Sequence, residues 1–187
     1  MSASMVGMGA EMNAASELVE EAFRWLQDRY DSFSFYQERD LVWTIQNHLV
    51  AEIRRRGLDL RVWNNYQIFR EGRRGESADL VLQAADGTIA VAVEFKYEPS
   101  HTRPDIQRQK LPAVFWGSEG VAHDIERVRR FVAERKAEAA YAVFVDEGSH
   151  FRHREAHPGS RWIDWAASTP QSHRVALLWS RWPTDKP

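Results

Sequence analysis

Between Ser77 and Tyr97 two strand-like runs rich in Val, Ile and Leu flank an Asp86-Gly87 pair, and no other stretch constrains the fold as strongly. Asp-Gly supplies the positive φ that a tight hairpin turn needs. Ser77 to Ala84 and Ile89 to Tyr97 are therefore expected as neighbouring antiparallel strands. Side chains alternate faces along a strand. That puts Ala78, Leu80, Leu82 and Ala84 with Ile89, Val91, Val93 and Phe95 on an apolar core face. The other face carries Asp79, Glu94 and Lys96, floored by Ala90 and Ala92. A two-residue loop sets Asp79 directly opposite Glu94, with Cβ atoms about 4.5–5.5 Å apart, and Lys96 opposite Ser77.

Two carboxylates this close repel unless one is protonated or a cation stands between them. A hard divalent ion is the natural filler, Mg²⁺ first and Mn²⁺ as a substitute, because it takes carboxylate oxygens and keeps several waters. Lys96, on the same face, can orient or deprotonate an attacking water or neutralise negative charge developing on a phosphate. The spacing also predicts a helix over about Tyr36 to Arg56, stopped by Gly57. Its apolar stripe is Leu41, Val42, Ile45, Leu49 and Ile53, and Glu38 lies at the angular centre of that stripe. A carboxylate there is costly unless it meets a cation or a donor. The alternative for Glu38 is an N-terminal capping role near the helix dipole. Asp40 points to the far side.

The rest of the chain reads as one domain. Residues 1–16 are small and polar and are expected as a flexible tail, with a single domain over 17–187. A first helix is expected over Glu17 to Tyr30, a strand over Leu60 to Arg70, and a helix over Val121 to Lys136. A buried strand follows at Ala140 to Val145, then a polar loop from His150 to Ser160 and a final strand from His173 to Trp182. Three prolines make Glu98 to Gly120 mostly loop. The order α-α-β-β-β-α-β-β predicts an α/β sandwich on a central mixed sheet flanked by helices.

Glu38 on its helix, Asp79, and Glu94-Phe95-Lys96 after fourteen intervening residues resemble the PD-(D/E)xK nuclease superfamily, the restriction-endonuclease-like fold. The resemblance runs from about Tyr36 to Val145 and departs at Ala78, where the family name has proline. It implies a metal-dependent endonuclease or phosphodiesterase that hydrolyses phosphodiester bonds with a metal-activated water, on DNA rather than RNA. By that resemblance Asp79 and Glu94 are metal ligands with the Phe95 carbonyl as a third, Lys96 is the catalytic lysine, and Glu38 is the accessory acid, placed among the metal ligands as well. Members often add a Gln, Lys or Glu from the next helix; Gln107, Gln109 and Lys110 are available. So compact a chain would need a homodimer or a partner protein for specificity.

Other signals carry less. The formal net charge of −2 excludes a basic nucleic-acid coat. Six acids against Arg24 and Arg29 make residues 1–35 acidic, while seven arginines against three acids make residues 52–74 basic. The arginine enrichment is compatible with phosphate contacts, although Arg127 and Arg130 read better as a solvated face. His150, His153 and His157 admit a zinc reading, against a polar loop without metal. Among the eight tryptophans, Trp162 and Trp165 can stack on a base but fit packing better. With no cysteine, no secretory signal and no spanning segment, a soluble cytoplasmic protein without membrane contact is expected. The competing functional reading is a non-catalytic scaffold that keeps the nuclease fold and binds nucleic acid or protein. A third has Lys96 as a plain structural ion pair with Glu94 or Asp79.

Overall fold

A computed structural model describes residues 3–69, 76–105, 115, 120–165 and 174–183, with side chains from Asn13 onward. The elements are α1 (Ala3–Arg29), α2 (Glu38–Arg56), β1 (Leu60–Gln67), β2 (Ser77–Ala84), β3 (Ile89–Glu98), α3 (Val121–Ala133), β4 (Ala139–Glu147), β5 (Ser160–Trp165) and β6 (Val175–Trp182). A single 3-10 turn at Tyr30–Ser32 follows α1. The strands form one six-stranded mixed sheet in the order β1-β2-β3-β4-β6-β5. Only β3 and β4 run parallel. A parallel pair needs a crossover, and α3 supplies it.

Both faces of the sheet are covered, which explains why every position of β4 is buried. On one face α1 and α2 pack Leu18, Phe23, Leu26, Leu41, Ile45 and Leu49 against Leu80, Leu82, Val91, Val93 and Phe95. On the other, α3 packs Val121, Val128 and Phe131 against Val81, Ala92, Ala140 and Phe144. The apolar stripe of α2 is buried as its spacing predicts, and Gly57 ends the helix in the left-handed conformation at φ 63.

Three expectations change. Helix α1 begins at Ala3 rather than Glu17, and Ala15 is already fully buried, so packing starts within the segment expected as a tail. Strand β5 falls where no strand is expected; SRWIDW is a half-exposed edge strand whose burial pattern lacks a regular apolar face. The hairpin turn also differs. Gly87 N–H donates to the Ala84 carbonyl at 3.0 Å and Ala84 N–H to Thr88 at 2.9 Å, closing a three-residue loop with Gly87 at φ 89. A bulge between Leu82 and Gln83 then restores the pairing, so Leu80 faces Val93 and Leu82 faces Val91 as a two-residue loop would place them.

The bulge turns Ala90 into the α1/α2 layer, so Ala92 alone of the two expected floor residues lies on the α3 side. A second irregularity lies at Asp79. Asn65, facing it from β1, drops out of the ladder between the Asn64–Leu80 and Tyr66–Ala78 pairs and adopts φ 47. Ala78 consequently packs in the α3 layer with Val81 and not in the layer of Leu80.

Candidate functional site

The β2–β3 ladder is paired from Leu80–Val93 toward the turn, and Asp79 stands just beyond that pair. There its side chain replaces the backbone: Asp79 Oδ2 accepts the Phe95 N–H at 2.7 Å. The N–H and C=O of a residue in an antiparallel pair face the same neighbour. The Phe95 carbonyl is therefore turned toward the same gap. Asp79, Glu94 and Phe95 meet at the opened end of a strand pair, with Lys96 next along β3.

Glu94 and Lys96 do not face open solvent, because α3 covers them. Glu94 is only 2% exposed. Arg127 Nη2 lies 2.9 Å from Glu94 Oε1, yet that oxygen receives no directed hydrogen bond; Arg127 aims a donor at the Ser77 carbonyl. Lys96 Nζ is 3.3 Å from Asp124 Oδ2, and Arg127 Nη1 is 3.4 Å from Asp124 Oδ1. Arg127 is thus a partly buried partner of the acids and not a solvated arginine. Arg130 pairs with Glu76 and lies over the Phe69 ring. No motif singles out Asp124. Its signal is positional: it falls on the apolar stripe of Val121, Ile125 and Val128, just as Glu38 falls on that of α2.

The two alternatives for Glu38 separate cleanly. Asp40 does the capping, its Oδ2 accepting the N–H groups of Tyr36 and Gln37 at 3.0 Å each. Glu38 instead joins the acid cluster. Burial, together with the charges of Asp79 and Asp124, outweighs the pull of Lys96 and the Tyr97 N–H and pushes it up to about 7. Burial first, then Asp79, raises Glu94 well above the usual carboxylate range against the pull of Arg127. Asp124 is also raised by burial despite Lys96 and Arg127. Burial works against the charge of Lys96, but Asp124 and Glu38 win and its pKa ends above the usual lysine value.

Four acids (Glu38, Asp79, Glu94, Asp124) therefore face two bases (Lys96, Arg127), leaving two negative charges in excess when all are ionised. Hard oxygen donors, a deficit of two positive charges and a buried carboxylate oxygen without a directed donor fit a divalent cation such as Mg²⁺. Among the described residues no three His, Asp or Glu side chains converge closely enough to hold a metal. The donors at the gap are two carboxylates, Asp79 and Glu94, and a main-chain carbonyl, with Glu38 coupled to them through its charge.

The histidine loop has other work. His150 Nε2 accepts the His101 N–H at 3.2 Å and the two rings stack at 3.7 Å, while His157 stacks on Phe115. Trp165 is buried against Tyr30, and Trp162 stacks with Phe115. Gln107, Gln109 and Lys110 lie outside the described residues.

A cleft of about 440 Å³ opens beside the acids, lined by Glu38, Arg39, Asp40, Val42, Trp43, Asn64, Asn65 and Asp79. No helix among the described residues is long and apolar enough to cross a membrane. Comparisons with protein-family models, with curated proteins and with solved structures gave no match to this chain.

Proposed function

We propose that this chain is a Mg²⁺-dependent nuclease of the PD-(D/E)xK, restriction-endonuclease-like class, hydrolysing phosphodiester bonds of DNA. The observation that carries the reading is the gathering of Asp79, Glu94 and Lys96 at the opened end of β2–β3, where ionising all four acids of the cluster would leave two negative charges without a partner. A helix bearing Glu38, three antiparallel strands, a crossover helix and a parallel β4 support the fold assignment.

Asp79, Glu94 and the Phe95 carbonyl would hold the metal, which supplies charge neutralisation at the phosphate and a more acidic water. The side chains divide the remaining work. Lys96, with its pKa raised, stays an ammonium at neutral pH and stabilises negative charge on the phosphate, so it is no base. Glu38, free of the capping role that Asp40 fills and beside Asp79, is the carboxylate placed to take a proton from water. Asp124 positions Lys96, and Arg127 offsets part of the charge of Glu94.

The scaffold reading draws on those same ion pairs, since Lys96–Asp124 and Arg127–Glu94 satisfy part of the cluster internally. Calorimetric titration of wild type and Asp79→Ala with Mg²⁺ or Mn²⁺, followed by incubation with labelled DNA, separates the two. Metal binding and cleavage in wild type, both lost in the variant, support the nuclease. A wild type that binds no metal and cuts no DNA supports the scaffold.

A further inference from the structure

The cleft beside Asp79 has a composition that the acid cluster does not explain. Trp43 lines it and is 65% exposed, although it sits on a helix whose other face is fully packed. An indole left in water at the wall of a cleft offers a π surface to a ligand. Asn64 and Asn65 line the opposite side. Asn64 donates to Gln46 Oε1 at 2.9 Å, which orients its amide. Asn65 holds a left-handed backbone at φ 47, a conformation that non-glycine residues adopt at a cost.

Charge decides what fits. Glu38, Asp40 and Asp79 line the cleft against Arg39 alone, so its inner wall repels a bare phosphate and suits a neutral ring bearing hydrogen-bond donors. Arg39 is exposed; with the Gln37 amide oxygen turned toward it, Nε and Nη2 donate at 2.7 and 2.9 Å. The remaining guanidinium donors face solvent where a flanking phosphate would pass. A volume of about 440 Å³ lies within the range of small-molecule sites and holds one unit of a polymer. Bases in a duplex keep their faces stacked and cannot lie against an indole.

We infer that this cleft is a subsite for one unpaired base of single-stranded DNA, stacked on Trp43 and met at its edge by Asn64, Asn65 and the carboxylates. The inference rests on the nuclease reading, and it makes an unpaired strand, rather than intact duplex, the substrate presented to the Asp79–Glu94 gap.

Fluorescence anisotropy with a short labelled DNA single strand, in EDTA at low salt, tests it on the full chain. Trp43→Ala is expected to weaken binding roughly 10- to 100-fold, and Trp43→Phe to recover most of it. The same sequence as a duplex should show no dependence on residue 43. Mg²⁺ titration of Trp43→Ala should match wild type, which separates this subsite from the metal site. Equal affinity of wild type and Trp43→Ala overturns the inference, as does no single-strand binding at all. Sedimentation showing a wild-type dimer that becomes a monomer in Trp43→Ala, with single-strand affinity unchanged, also overturns it by assigning Trp43 to a second copy. Should the wild type bind no metal and cut no DNA while the Trp43 dependence holds, the nuclease assignment falls and the subsite stands.

Discussion

Two buried glutamates on neighbouring strands meet opposite fates. Glu147, at the end of β4, is saturated with donors: Tyr97 O–H at 2.6 Å, Ser100 N–H at 3.0 Å and Arg103 Nη1 at 3.2 Å. Its neighbour Asp146 accepts the N–H groups of His150 and Phe151 at 3.0 and 2.7 Å. Glu94, equally buried on β3, has one arginine nearby, an oxygen without a directed donor, and two acids close enough to repel it. Desolvating a carboxylate is costly in both places. Around Glu147 the fold offsets that cost with hydrogen bonds, and around Glu94 it leaves much of it standing. The lesson is that burial alone does not mark a site; an under-supplied, mutually repelling set of acids does.

The contrast can be broken most severely at Asp79. Asp79→Ala should abolish Mg²⁺ binding and lower DNA cleavage roughly 10³-fold, with the melting temperature little changed; calorimetry, gel assay and thermal melting check the three parts. Unchanged cleavage would remove the basis of the assignment. At the other glutamate the effect should fall on stability instead. Glu147→Ala leaves the Ser100 N–H without its acceptor and Arg103 held by Asp105 and the Phe35 carbonyl, and should cost about 2 kcal/mol in urea unfolding, while metal affinity of the folded protein stays at the wild-type value.

Acidity provides a third way to sharpen the difference. Glu38 is raised from its usual 4.5 to about 7, so the folded chain favours its neutral form. The stability this confers is complete below pH 4.5 and is lost as pH rises to about 7. Urea midpoints of metal-free protein should therefore fall across that window, and Glu38→Gln should flatten part of the fall. Parallel profiles for the two proteins would contradict the placement of Glu38. The smallest expected effect is at Arg127, whose guanidinium competes with any cation for Glu94. Arg127→Gln should tighten Mg²⁺ binding about tenfold, roughly the 1.4 kcal/mol of one modest interaction, as read by calorimetry.

The acid pair itself was legible in local pattern. Period-two alternation on both sides of Asp86-Gly87 sets Asp79 against the Glu94–Phe95 step, even though a three-residue turn and a bulge at Ala90 replace the simple loop. The two departures cancel in register because the turn takes its extra residue, Ala85, from the β2 side and the bulge takes one, Ala90, from β3. Glu38 was legible as a charge on an apolar stripe, but its release from capping depends on Asp40 turning back over the helix start. The same stripe logic applies to Asp124, where no motif draws attention to it. Strand β5 carries too little apolar alternation to be recognised without β6 beside it.

Local sequence thus determined the helices α2 and α3, the hairpin and the identity of the residues facing one another across it. These depend on periodicity, turn chemistry and capping, which act over a few residues. Only the tertiary structure decided that α3 lies over the acid face, that Arg127 and Asp124 enter the cluster, and that Trp43 and Asn65 wall a cleft beside it. Those outcomes depend on which layer covers which face of the sheet, and burial, charge balance and pKa are set by that covering.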